Sequence, residues 1–159
     1  MFMNCISFNS DLSQWDVSNV LSFSHLFENC QQFNADLSSW DVSNCMYFND
    51  MFVNCYEFTS DLSNWNVSSS NSFMRMFYNC HKFNSDLSKW DVSKSTDFRS
   101  MFSGCSSFKS DLRKWRIEIK NVQSQYIVSV MHSNTDFEKN IMGMFLHINP
   151  ENILLPRRL

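Results

Sequence analysis

Glycine and proline are almost missing from this 159-residue chain, which has two of each. The two glycines, Gly104 and Gly143, stand 39 positions apart. A dinucleotide fingerprint or a Walker loop needs several glycines close together, so both are excluded. Turns must instead be built by the 27 serines, the 18 asparagines and the aspartates. Positive charge is missing from the first half. No Lys or Arg precedes Arg75, so residues 1–74 carry −8 and residues 75–159 carry +5. The net charge of −3 argues against an electrostatically driven nucleic-acid binder. No apolar run approaches the roughly 20 residues that span a bilayer. The N-terminal residues have neither a basic stretch nor a sustained apolar one, and so do not read as a signal peptide. Hydrophobic residues at 43% and aromatics at 16% are too many for a chain disordered by composition.

What the sequence does have is a period. Trp occurs at 15, 40, 65, 90 and 115 and nowhere else. Cys occurs at 5, 30, 55, 80 and 105, with Cys45 as the one extra. Leu12 and Asp11 each recur every 25 residues, through Leu112 and Asp111. Fourteen of the sixteen Phe fall in three columns that begin at Phe2, Phe8 and Phe23. No insertion breaks the step between Met1 and Trp115. A fixed period of this length means stacked supersecondary units.

Two parts are expected in each unit. Phe48, Met51, Phe52 and Cys55 fall at i, i+3, i+4 and i+7, the stripe of a short helix. Phe23, Leu26, Phe27 and Cys30 repeat it, as do Phe73, Met76, Phe77 and Cys80. Ser18, Ser43, Ser68 and Ser93 stand where a hydroxyl caps such a helix. The second part, Phe33 to Ser43 and its equivalents, is too short and turn-rich for another helix. Leu37 is expected on a brief extended segment that pairs in parallel with the next coil, with Trp40 and Val42 pointing to one side.

The unit Phe-Asn-x-Asp-Leu-Ser-x-Trp-Asp-Val-Ser, as in Phe33 to Ser43, resembles the BspA-type leucine-rich-repeat surface proteins. It is closest to their short Trp-Asp-Val-Ser-Asn-Val subfamily, a domain of unknown function. The resemblance covers residues 1 to about 118. It implies a right-handed α/β solenoid of about five 25-residue coils, with a parallel sheet on one face and short helices on the other. It also implies display at the cell surface or outside the cell, with adhesion or partner binding as the role. The chain starts in mid-unit, so a piece of a longer array is expected. Residues 1–118 form the repeat domain. Residues 119–159 are a non-repeat segment, either disordered or a cap over the open core through Tyr126, Ile127, Val128, Val130 and Met131.

The columns weigh mainly as structure. No C-x-x-C pair accompanies a His, so a metal site is not indicated. The Cys column reads as core, and layers at helical spacing of roughly 8–10 Å hold neighbouring thiols too far apart for disulfides. Cys45 stands in a Val and Ser column and is expected to be partly exposed. The Trp column also reads as core, with a sugar or base platform as the alternative. The five aspartates from Asp11 to Asp111 would repel one another in register. Asx turns offset that, and a calcium ladder is the other way to do so. Asp16, Asp41 and Asp91, with Asn66 in their column, fit turns equally well. None of the four histidines recurs beside a Ser, Cys or carboxylate at a spacing that suggests a shared site, and no catalysis is expected. Asn66-Val67-Ser68 is a lone glycosylation sequon.

Binding is expected where the repeat varies. Gln14, Ser39, Asn64, Lys89 and Lys114 form one varying column between Ser and Trp, and the pairs after each Cys form another. The chain is thus expected to be a non-catalytic interaction or adhesion module for a protein or glycan partner. It would need no cofactor, bind no nucleic acid and have no membrane span. A structural spacer and a calcium-stabilised array are the alternatives. The charge asymmetry predicts head-to-tail self-association at low ionic strength.

Overall fold

The computed structural model describes residues 1–115. They wind into coils of 25 residues, taken here as residues 1–25, 26–50, 51–75, 76–100 and the part-coil 101–115. Each coil lies in register on the one before it.

The expected helices are not there. Among the described residues there is no helix. The only β pairing among them is a row of isolated parallel bridges, Ser22 to Tyr47, Tyr47 to Ser72 and Ser72 to Asp97. The expected α/β solenoid with a helix in every coil is therefore wrong. The reason lies at two positions per coil. His25 and Asn29 have φ of 60° and 61°, and Asp50, Asn54, Arg75, Asn79, Ser100 and Gly104 repeat this left-handed conformation. Each is the third residue of a β-turn. Leu26 N–H donates to the Phe23 carbonyl at 3.0 Å and Cys30 N–H to that of Phe27 at 2.9 Å, so the segment is a run of turns with a left-handed third residue. Two such turns four residues apart put Phe23, Leu26, Phe27 and Cys30 on one side, the same spacing that a helix gives. Periodicity alone does not separate the two cases.

The remaining amides leave the coil. Phe23, His25, Phe27 and Asn29 donate to the carbonyls of Tyr47, Asn49, Met51 and Val53 in the next coil, at 2.8–3.0 Å. Parallel pairing between coils thus runs through the segment read as helix, not through the Leu37 segment. Leu37 N–H instead donates to the Ser60 hydroxyl at 2.9 Å, and Leu62 and Leu87 repeat this with Ser85 and Ser110. Ser18 and its equivalents cap no helix; they belong to the turns described below.

The interior is columnar. In the three Phe columns, ring centroids of neighbouring coils lie 5.5–5.9 Å apart. Within a coil the first and second rings pair face to face, as Phe27 does with Phe33 at 3.9 Å. Trp40, Trp65, Trp90 and Trp115 are buried. Each indole N–H donates to the Leu carbonyl of the preceding coil at 2.8–3.0 Å. Trp15 in the first coil is 44% exposed. Asparagine makes a further column, in which Asn29 donates to Asn4, Asn54 to Asn29 and Asn79 to Asn54 through side-chain amides at 2.6–2.8 Å. Asn tolerates the left-handed conformation these positions require. Gly104 ends the ladder at φ 79°, where a Cβ would lie 2.3 Å from Asn79 Oδ1.

The expected cap at 119–159 lies outside the described residues. Trp65→Ala is expected to cost about 3–5 kcal/mol and to orphan the Leu37 carbonyl as well. Thermal melting checks this; an unchanged midpoint would show that the indole is not a core element. Gly104→Ala should also lower the midpoint, because Ala combines a strained φ with the contact to Asn79.

Candidate binding surfaces

The two aspartate columns form the corners of the coil. Asp11, Asp36, Asp61 and Asp86 each accept the backbone N–H of the Ser two residues on, at 2.8–2.9 Å. Asp111 accepts that of Arg113 at 3.0 Å. Asp16, Asp41 and Asp91 do the same with Ser18, Ser43 and Ser93, and Asn66 with Ser68. These are the Asx turns expected from the sequence. The bonds favour the ionised form. In the first column the Ser N–H holds each carboxyl below its ordinary value, against a smaller opposing push from the aspartate one coil away at Asp11, Asp36 and Asp61. In the second column the Ser hydroxyl is the larger cause. Asp111 is pulled down furthest, to about 2, first by the Arg113 side chain. Among the described residues no three His, Cys, Asp or Glu side chains converge as a metal site.

The varying column Gln14, Ser39, Asn64, Lys89 and Lys114 lies beside these corners, and all five residues are exposed. A shallow groove between the first two coils is lined by Asn9, Asp11, Ser13, Asn34, Ala35 and Asp36. After Cys55 and Cys80 the third and fourth coils pair side chain to side chain. Tyr56 stacks on His81 with centroids 5.2 Å apart, and Lys82 pairs with Glu57.

The bridge strip is a surface that the sequence reading missed, because its residues were read as helix. Position by position, its columns are Leu21, Met46, Asn71 and Thr96; Ser22, Tyr47, Ser72 and Asp97; and Ser24, Asn49, Met74 and Arg99, of which Ser72 is buried and the others are half-buried or exposed. Leu21 is 56% exposed and Tyr47 40%. The column His25, Asp50, Arg75 and Ser100 runs beside them. Asp50 is 1% exposed, with Arg75 Nε 2.7 Å from one carboxylate oxygen and His25 Nε2 3.9 Å from the other. The Arg75 contact is off-line, and neither oxygen receives an aligned hydrogen bond. His25 Nδ1 lies 2.6 Å from Glu28. The sequence reading gave no histidine a charged neighbour, whereas the fold sets His25 between two carboxylates. The signal was available, since 25, 50 and 75 share one column at the period already found.

The thiols are inward. Cys30, Cys55, Cys80 and Cys105 are buried, each with Sγ 2.8–3.1 Å from a Phe carbonyl of the preceding coil. They are free, although the coils lie closer than the helical layers expected from the sequence would. Cys45 is buried, not partly exposed, and its Sγ faces the Tyr47 carbonyl at 3.4 Å. Burial pushes Cys45 up to about 11 and Cys105 up to about 12, and raises Cys30, Cys55 and Cys80.

Residues 1–80, and again residues 48–145, match the family described as Mycoplasma protein of unknown function, DUF285. The chain belongs to that family. Two overlapping matches are what a repeat array gives when one family unit spans several coils. DUF285 thus covers the coils described here, and its second match runs on past Trp115. No curated protein and no solved structure matches the chain.

Two outcomes follow for this DUF285 chain. In the native state a thiol reagent should label Cys5, the exposed thiol among the described cysteines, ahead of the buried ones, which should react only as the stack opens. Mass spectrometry of peptides after timed labelling reads this. Acid should destabilise the stack. The Asp carboxyls sit below their unfolded values, so their contribution is full above the ordinary carboxylate range and falls as pH drops through the folded values. Asp61→Asn should keep the turn, as Asn66 does, and flatten the loss of melting midpoint as pH falls below the ordinary carboxylate range.

Proposed function

We propose that the protein is a non-catalytic interaction module that presents varying side chains on a repeated scaffold to a protein or glycan partner. The observation that carries this reading is the distribution of variation. The inward Phe, Trp, Leu and Cys columns are nearly constant through five coils, while the bridge strip changes at every coil. Its changing residues include Tyr, Met and Arg, which interface cores favour over Lys, Glu and Ser, and Met adapts to irregular partners. The resemblance to BspA-type surface proteins supports surface display and an adhesive role. The spacer reading is supported by the even cohesion of the coils, since the same bonds recur at each junction.

The test is Tyr47→Ser combined with Met74→Ser, two outward substitutions that leave the interior columns intact. Wild-type chain is applied to immobilised glycans and extracellular matrix proteins. Binding by the wild type that falls about tenfold or more in the double variant, with the melting midpoint unchanged, is the expected result. Tenfold corresponds to about 1.4 kcal/mol, an ordinary share for two interface side chains. Binding untouched by the variant would remove the strip as contact face, and no binding at all would favour the spacer.

A further inference from the structure

One column fastens the coils through a hydroxyl. Ser60, Ser85 and Ser110 each accept the Leu amide of the preceding coil at 2.9 Å. The Ser85 and Ser110 hydroxyls also donate to Asp61 and Asp86, at 3.0 and 3.2 Å. A hydroxyl suits this place because it accepts and donates at once. At the junction of the first two coils the same column holds Ala35. Leu12 is 3% exposed, and its amide finds no acceptor among the described residues. Asp11 receives no hydroxyl from the next coil. The shallow groove between these two coils lies at this junction, with Ala35 in its lining and a volume of about 410 Å³, within the roughly 300–1,000 Å³ of small-molecule sites. Asn9 Oδ1 accepts the Asn34 amide and Asn34 Oδ1 the Thr59 amide, each at 2.7 Å. With those oxygens engaged, the Nδ2 groups of Asn9 and Asn34 are the donors that face a ligand.

We propose that this groove binds a neutral sugar, one hydroxyl of which takes the place that Ser60 fills a coil further on. That hydroxyl accepts the Leu12 amide and donates to Asp11, and neighbouring ring hydroxyls meet Asp36 and the two Asn side chains. The lining selects the class. A metal ion or an ammonium group has no acceptor to offer the N–H donors of Leu12, Asn9 and Asn34. Asp11 and Asp36 repel a phosphate, a sulfate or a carboxylate. What remains is an uncharged ligand that both donates and accepts, which a polyhydroxylated ring does at every carbon. The proposal rests on the glycan part of the functional reading but shares no residue with the bridge strip.

Saturation-transfer NMR of the full chain with millimolar D-galactose, D-glucose or D-mannose, and with D-glucuronate, tests it. Transfer to one or more of the hexoses and none to glucuronate is expected. Ala35→Ser supplies the protein's own hydroxyl, as Ser60, Ser85 and Ser110 do, so it should abolish the transfer while raising the melting midpoint. The raised midpoint shows that the variant folds and that its hydroxyl reaches the Leu12 amide. Tyr47→Ser with Met74→Ser should leave the transfer intact, which separates failure of the strip from failure of the groove. No transfer to any hexose, equal transfer to glucuronate, transfer that survives Ala35→Ser, an Ala35→Ser midpoint that does not rise, or transfer lost in the strip variant each overturns the proposal.

Discussion

The amide of Phe27 donates to Met51 in the next coil rather than to a carbonyl of its own, and the rest of the structure follows from that choice. A backbone that satisfies itself makes a helix. One that is satisfied by its neighbour cannot stand alone, because a buried unpaired amide costs about as much as a lost hydrogen bond. Each coil is therefore held by the next, through alternate amides along the bridge strip, through Leu amides to Ser hydroxyls and through indoles to Leu carbonyls. Side chains complete what the backbone leaves open. Asn34 Oδ1, for instance, accepts from the Thr59 amide one coil on.

This arrangement dictates composition. Turning the chain tightly enough to send amides outward needs left-handed residues, and the chain supplies Asn rather than Gly at four of those positions. Asn contributes something Gly cannot, an amide that both donates and accepts along the stack axis. Where Gly104 takes the place, the ladder stops. The less tolerant occupants, Arg75 and Ser100, show that stacking against neighbours can hold a side chain in a conformation it would avoid alone.

Much of the core was legible. The Trp, Leu, Phe and Cys columns read as interior from their recurrence, and the Asx turns from Asp-x-Ser spacing. The helix was misread because Phe23, Leu26, Phe27 and Cys30 share one side both in a helix and in a pair of consecutive turns. Only φ at His25 and Asn29 tells them apart, and neither residue declares it as Gly would. That error hid the bridge strip, since residues such as Tyr47 and Met74 were counted as part of a helix and its approach. Cys45 was misplaced for a related reason. Its column holds Val20, Ser70 and Ser95, and the serines suggested exposure, whereas Ser70 and Ser95 are buried and donate to the Cys45 and Ser70 carbonyls.

The identical stacking of each Phe on its equivalent, at one repeating distance, makes every junction interchangeable with every other. A gene encoding such a chain can gain or lose 75 nucleotides in phase and leave every remaining ring with a neighbour of the same kind. A three-nucleotide change inside a coil displaces one column against all the others. Unequal recombination between repeats is thus tolerated where small insertions are not, and the length of the array becomes a quantity that selection can adjust without redesigning a single contact.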